Sequence, residues 1–453
     1  MRGRTIAVIG GGLAGITSAI ALADAECKVT LFEARGHLGG RVGSVKHPRL
    51  GIEVDNCQHA AFRVYDRFFQ LIGRAGAQNI VKIQPKTNLM FASPQKKNFA
   101  ALATGKMAPP NHMVRSMLKF PFLGLLDKLK MRAVVKALSK FDDESQWELD
   151  DINFRTWLES KGQTKRAINR FFGFFTMAAL NIDIDEASAA QGIMLLRHGL
   201  FGAADAFDVV AFTNHLGAAM EGAFSDALEN AGVEVKLNNS VKSLDELTEF
   251  DAIVVALPPH LAAQITGMKN ELEYRALIGI HAFYRGNRLP KDFSFATMVD
   301  EPLIQMIFNR DNEIDNQVEE GVQWITVPVS AADPHLKTSD EEMLSELDRV
   351  LDSLWPDGKD VERIDHLIVK TPKATFAPTP GSAAHRPKVD ALGENIALAG
   401  SHTMTGWPST MEGAVRSGLT AAAHILGRDY SHDQPWEGWP SSPKRGEEGW
   451  RVW

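Results

Sequence analysis

The chain has little cysteine: two residues, Cys27 and Cys57, in 453. They form no CxxC, no zinc pattern and no disulfide framework, and their scarcity fits a reducing cytoplasm. No stretch reaches the roughly 18 apolar residues that a membrane-spanning helix needs. Residues 171–180 come nearest and read as a short buried helix. A leader peptide is missing as well, because the apolar run at residues 6–9 enters a glycine cluster at once and no small-residue cleavage site follows. Lys/Arg tracts are absent and the net charge is -7, which excludes a nucleic-acid binder. Nothing in the His and Cys spacing makes a metal set, and there is no internal repeat or low-complexity tract. What remains is ordinary for a globular enzyme: 44% apolar and 23% charged residues, in a chain long enough for two interleaved domains.

Thr5–Ile9 (TIAVI) reads as a buried parallel strand, residues 14–25 as a small-residue helix and residues 28–33 (KVTLFE) as a second strand, together a right-handed βαβ unit. Residues 233–237, 252–257 and 395–399 read as further buried strands, the last followed by a Gly/Pro loop and a helix at 410–426. The dinucleotide domain is therefore discontinuous, built from residues 1–85, 210–265 and 371–428. Residues 86–209 and 266–370 form a mixed α+β substrate domain, the first part mainly helical. In the second part 277–285 and 323–329 are strands and Asp340–Leu354 is a helix. The Trp-rich tail, 429–453, reads as irregular. The fold class is α/β, a Rossmann-type domain with a second domain inserted.

The motif with the most chemistry is Gly10-Gly11-Gly12-Leu13-Ala14-Gly15, a GxGxxG directly after a strand and opening a helix. Gly10 permits the turn, Gly12 lets a pyrophosphate approach the backbone, and Gly15 lets the helix pack close to the strand. The helix N-terminus offers free N–H groups to phosphate. Glu33 closes the second strand, where its carboxylate can accept from a ribose diol. The segment Glu33-Ala34-Arg35 then leads to Gly39-Gly40-Arg41, a second glycine pair with a cation for pyrophosphate.

This extended pattern resembles flavoproteins of the amine oxidase and phytoene desaturase superfamily. The resemblance implies FAD rather than NAD, with Val241 near the adenine. It extends to Gly400-Ser401 and Met411-Glu412-Gly413-Ala414, a loop and helix that in such proteins close the site at the pyrimidine end of the flavin and stabilise its reduced anion. An acidic residue usual after the glycine is Ser401 here, which implies a weaker contact to the ribityl chain.

Asp55-Asn56-Cys57-Gln58-His59 is similar to an element of the hydroxysqualene dehydroxylases, also called squalene-associated FAD-dependent desaturases. So are 406–418 (GWPSTMEGAVRSG), Trp157-Leu158 with Gly162-Gln163, Ala179-Leu180-Asn181, and Ala374-Thr375-Phe376 with Arg386-Pro387. Cys57 stands where a glycine is usual. The resemblance implies reductive removal of an allylic hydroxyl from hydroxysqualene in squalene and hopanoid biosynthesis. Such chemistry needs a proton for the leaving hydroxyl and a dry pocket. His59 is the first choice for a catalytic or positioning group; the plainer reading is a structural histidine. Gln58 and Asn56 orient the loop or the flavin, and Asp55 is a turn or cap residue. Segments 113–138 and 171–180 either line an apolar pocket or are plain core helices.

Residues 115–136 carry six cations against Asp127 alone, an amphipathic stretch that suits peripheral contact with an anionic membrane or, equally, a solvated helix pair. Trp436, Trp439, Trp450 and Trp453 either reach the same interface or dock on the protein. Rival readings are a carotenoid desaturase and an amine oxidase; four tyrosines speak against a Tyr-rich cage for the second, although Trp or Phe could serve in their place. A flavin-free lipid chaperone on the same fold is the non-enzymatic rival, and the intact Gly12, Gly15, Glu33 and Arg41 speak against it. The electron donor is not legible.

Overall fold

Four short, mainly apolar strands and one polar edge strand build the first sheet, and the central strands have both faces covered. The computed structural model describes residues 3–312, 318–444 and 450–452. The sheet order is Glu234–Lys236, Lys28–Phe32, Thr5–Ile9, Ala252–Val255, Ile396–Leu398, and every neighbouring pair is parallel. Ile6, Ala7 and Val8 are fully buried, as parallel strands covered on both faces should be. The head, the middle and the tail of the chain all contribute a strand.

Two helices cover one face. The first, Leu13–Asp24, leaves the strand Thr5–Ile9 through the glycine loop. The last, Met411–Ile425, packs across it at backbone distance: a Cβ on Gly418 would stand 2.4 Å from the carbonyl oxygen of Ala14. Only glycine allows that approach.

A seven-stranded sheet forms the other half. Its order is Arg363–Phe376, Tyr274–Arg285, Val322–Val329, Met306–Asn309, Phe295–Met298, Asn88–Ser93, Asn98–Ala103. All pairs are antiparallel except Phe295–Met298 beside Asn88–Ser93. The helix Asp340–Leu354 covers one face with Leu347 and Leu351, and a capping box of Ser339 and Glu342 starts it. Helices between residues 114 and 200 pack as a separate aromatic core.

Residues 86–209 are mainly helical as expected, but they open with a hairpin at 88–103 that completes the sheet edge. Its apolar residues are short and alternating, and the strand Phe295–Met298 that Asn88–Ser93 joins lies far along the sequence. Among the described residues the tail holds no helix, in keeping with an irregular segment, and of the two readings of its tryptophans docking on the protein is the one observed. Trp436 and Trp439 are buried in the first core, and the Trp439 indole N–H donates to Asp24 at 2.9 Å. Trp450 meets Phe69 edge-on at 5.6 Å, and Arg451–Val452 pairs with Val81–Ile83. Trp453 lies outside the described residues. Among the described residues no helix is long and apolar enough to cross a membrane.

Removing the tail after residue 428 should strip this cover from Phe69, Gln70 and the first helix. We expect the thermal midpoint to fall by about 5 °C or more, read by the unfolding of the truncated chain beside the full one.

Candidate active site

The C-terminal ends of the parallel strands open into a cavity of about 610 Å³. One end is walled by backbone and polar side chains, the other by apolar ones. Gly10, Gly12, Leu13, Ala14, Glu33, Ala34, Arg35, Gly40, Arg41, Gln58, His59, Val241, Gly400, Ser401, Met411 and Ala414 all line it. Residues more than three hundred apart in sequence thus share one wall.

The three motif glycines divide their work. Gly10 has φ +106°, and a Cβ there would meet the Ala256 carbonyl oxygen at 2.5 Å. A Cβ on Gly15 would stand 1.9 Å from the carbonyl oxygen of Gly10. Both are therefore glycine for the sake of the fold. Gly12 is different: the nearest atom to its missing Cβ is the Gly40 Cα at 3.9 Å. The protein alone leaves room for a side chain there, so the bare backbone serves an occupant. No side chain caps the helix that starts beyond it, and no acid sits in its first turn. Its amide N–H groups face the cavity with partial positive charge, which suits a pyrophosphate.

Glu33 is almost fully buried and accepts from the backbone N–H of Gly11 at 2.7 Å and of Arg35 at 2.8 Å. Those bonds fix both oxygens at the cavity wall with lone pairs to spare for a diol. Arg41 donates to the Ala374 carbonyl at 2.8 Å and to Ser401 Oγ at 3.0 Å. Arg41 has an accessible, cavity-facing side chain, and neither of those acceptors is charged. Dense protein around it desolvates the guanidinium and holds its pKa below the ordinary value. An anion in the cavity would supply the missing partner, so the residues present fit FAD.

Glu412 requires a correction. Its carboxylate does not line the cavity but points behind the helix, where it accepts from the N–H groups of Arg67 at 3.2 Å and Phe68 at 2.8 Å and pairs with Arg416 at 2.6 Å. It neutralises the start of the helix Asp66–Arg74, and burial raises its pKa above the usual carboxylate range. The sequence pattern could not reveal this, because the helix that it caps begins near residue 66.

Asp55 does cap a helix, though a distant one: it accepts from the Leu216 N–H at 2.7 Å, where Leu216–Asn230 begins. It also accepts from Ser44 Oγ at 2.9 Å and pairs with Arg310 at 3.1 Å, both partners of that pair being buried. Arg310 in turn donates to Gln58 Oε1 at 2.6 Å, fixing a cavity-lining amide. The loop of residues 55–59 approaches the strand Tyr274–Arg285 closely because Gly279 gives way; a Cβ there would stand 2.8 Å from the Asn56 carbonyl oxygen. Cys57 is buried beside it, its thiol pushed up to about 12 by desolvation, which leaves it unreactive.

His59 lines the cavity with Nδ1 buried and lacking a hydrogen-bond partner. Burial lowers its pKa, the nearby Asp55 charge opposing only in part, so a neutral imidazole faces the cavity. Sequence reasoning gave no role to Arg386. It is buried, donates to the carbonyls of Thr403 at 2.6 Å and Trp407 at 2.7 Å, and so clamps the loop after Gly400. Desolvation brings its pKa down to about 9. Tyr65 and Asn181 also line the cavity and were missed as site residues.

Beyond this polar end the wall becomes apolar: Leu89, Phe174, Phe207, Phe295, Met306 and Phe308. Of the two segments considered for that wall, 171–180 contributes Phe174, Ala178 and Ala179 and 113–138 contributes none.

Residues 13–426 match the family model for flavin-containing amine oxidoreductases. The chain belongs to that family. It is an FAD-dependent oxidoreductase of this flavin-containing family, and the dinucleotide slot is the candidate for its cofactor site. Curated relatives include a hydroxysqualene dehydroxylase of Rhodopseudomonas palustris, 26% identical over 93% of this chain and 98% of that one. A zeta-carotene desaturase of Zea mays is 25% identical over 93% of this chain and 83% of its own length. Among solved structures, putrescine oxidase covers 94% of this chain and 99% of its own at 18% identity and TM-score 0.65. An oxidoreductase from Methanosarcina mazei covers 92% of this chain and 99% of its own at 15% identity and TM-score 0.68. These two share the fold.

Two tests follow. Gly12→Ala should fold as the parent does yet lose at least about ten-fold in FAD affinity, whereas Gly15→Ala should lower the thermal midpoint of the flavin-free protein. Flavin absorbance per chain and thermal unfolding separate the two. The second test is acidification. Burial depresses the pKa of His215 to about 4 and of His281 and His402 to about 3. The unfolded chain takes up these protons below its ordinary histidine value near 6.5 and the native state does not. Stability should therefore be full above about pH 6.5 and decline steadily toward pH 4, read as the thermal midpoint against pH.

Proposed function

We propose that this oxidoreductase acts on a long apolar isoprenoid, most specifically by reductive dehydroxylation of hydroxysqualene to squalene. The observation that carries the reading is one continuous cavity, with the dinucleotide slot at one end and an aromatic and aliphatic chamber at the other. Among the described lining residues the one carboxylate is Glu33, at the dinucleotide end. An amine substrate would gain no counter-charge in the chamber, whereas a hydrocarbon chain needs none. The named relatives that act on hydroxysqualene and on zeta-carotene support the isoprenoid class.

Reduced FAD, when bound, supplies a hydride. In the balanced reaction an allylic C–O bond breaks, a C–H bond forms with the hydride and its two electrons, and the hydroxyl leaves as water with the proton that the fully reduced flavin gives up as it becomes oxidised. The chain's part is to exclude water and to meet the leaving oxygen. The phenyl rings of Phe174, Phe207 and Phe295 keep the chamber dry, so that water does not recapture the delocalised allylic cation left when the hydroxyl departs. His59 offers a neutral imidazole, so its role is to donate a hydrogen bond to the departing oxygen rather than to act as a charged acid. Gln58, held by Arg310, fixes the adjoining wall.

Anaerobic mixing of the chemically reduced holoenzyme with hydroxysqualene in detergent should give flavin reoxidation and squalene in step. His59→Ala should slow that step by about 100-fold with FAD content unchanged. Because burial lowers the His59 pKa, the wild-type rate should show no histidine titration between about pH 6.5 and 8. Bound FAD with hydroxysqualene untouched and a carotene desaturated in the presence of a quinone would move the reaction to the carotenoid class.

A further inference from the structure

Large apolar side chains are exposed on this protein mainly in one place. Of the eleven that stand in solvent among the described residues, six fall between residues 107 and 129: Met107, Val114, Leu118, Leu125, Leu126 and Leu129. Leu125 is 69% exposed and Leu118 60%. Val114 and Leu118 lie one turn apart on the short helix Val114–Lys119, and Leu125, Leu126 and Leu129 form the outer face of the first turns of Leu125–Leu138. Lys128 Nζ donates to the Leu118 carbonyl at 3.0 Å and ties the two helices together.

These leucines are not left over from core packing. The inner face of the longer helix has its own set, Met131, Val134 and Leu138, all buried. Outward, the apolar turns pass into basic ones, with Arg132 and Lys136 exposed on the same helix and Lys106, Arg115 and Lys119 exposed nearby. The one carboxylate of the segment, Asp127, is turned inward. It accepts from the Gly124 N–H at 2.7 Å and Thr164 Oγ at 2.6 Å and pairs with Arg166 at 2.5 Å. The outer surface is thus apolar and cationic without a compensating acid, in a chain of net charge -7.

We propose that this face, residues 106–136, seats the protein on an anionic lipid bilayer. The leucines enter the acyl boundary and the surrounding cations meet the headgroup phosphates. A second copy of the chain fits less well, since a symmetric contact would set these cations against each other. The seat also lies close to the chamber: Phe120 meets Phe91 edge-on at 5.0 Å, and Phe91 meets the cavity-lining Phe174 at 5.1 Å. Three rings in series, Phe120, Phe91 and Phe174, thus connect the seat to the cavity wall. The proposal does not rest on the identity of the substrate, and vesicle binding is measured without one.

The test is flotation of the full-length, FAD-loaded protein with vesicles of phosphatidylcholine alone or with one third phosphatidylglycerol. The mixed vesicles should bind at least about ten-fold more tightly, and added salt should weaken them. Leu126→Asp with Leu129→Asp should abolish flotation while flavin absorbance and thermal midpoint stay as in the parent, because both positions are exposed. Lys119→Glu or Lys136→Glu should each weaken binding about five-fold or more. The proposal is overturned if the parent stays unbound with the mixed vesicles, or if the leucine variant floats as the parent does. It is equally overturned if the chain elutes as a dimer that Leu126→Asp converts to monomer, since the face would then join two copies.

Discussion

The helix Leu13–Asp24 lies nearer to its neighbours than any side chain would allow. At Gly15 it touches the turn it has just left, and at Gly418 the C-terminal helix presses on it from the other side. Each contact is backbone against backbone. The arrangement fixes where the helix N-terminus points, and everything at the cofactor end follows from that direction. The amides beyond Gly12 face the cavity, Glu33 turns to brace Gly11, and Arg41 comes in from the second glycine pair. Helix dipoles and buried cations act strongly where water is displaced, so a small error in this placement would cost more in binding than the loss of a surface contact.

A second constraint joins the two halves of the molecule. The buried pair of Asp55 and Arg310 links the loop beside the cofactor slot to the large sheet that forms the chamber. Asp55 also starts the helix Leu216–Asn230, and Arg310 also holds Gln58. Buried pairs of this kind add little net stability, yet removing one partner strands the other. Their value lies in geometry: the slot and the chamber share a wall whose polar groups cannot drift independently.

Much of the cofactor end was legible because its logic is local. A strand, a glycine loop, a helix and a closing acid lie within residues 5–33, and each residue type has one physical reason to be there. The helix Asp340–Leu354 was legible at both ends because a capping box starts it and an apolar stripe runs its length. Other features depend on partners far along the chain. Glu412 reads as part of a cofactor signature, yet its carboxylate serves a helix that begins more than three hundred residues earlier. The hairpin at 88–103 gains its place from strands near residue 300. The clamp by Arg386 depends on carbonyls, which carry no sequence signal at all. The tail's tryptophans were open to two readings, and packing against Phe69 and Asp24 decides for those that are described.

The interleaving of the first sheet has a consequence for how the protein comes into being. Its central strands are made within the first 32 residues, but the last strand, Ile396–Leu398, and the helix that closes on Gly15's neighbourhood follow only near the end. At about 5–20 residues per second, the ribosome leaves the early strands waiting for tens of seconds with an apolar edge unpaired. Until residues 396–425 are made the cavity lacks one of its walls, so an early-made fragment is an incomplete sheet rather than a small folded domain.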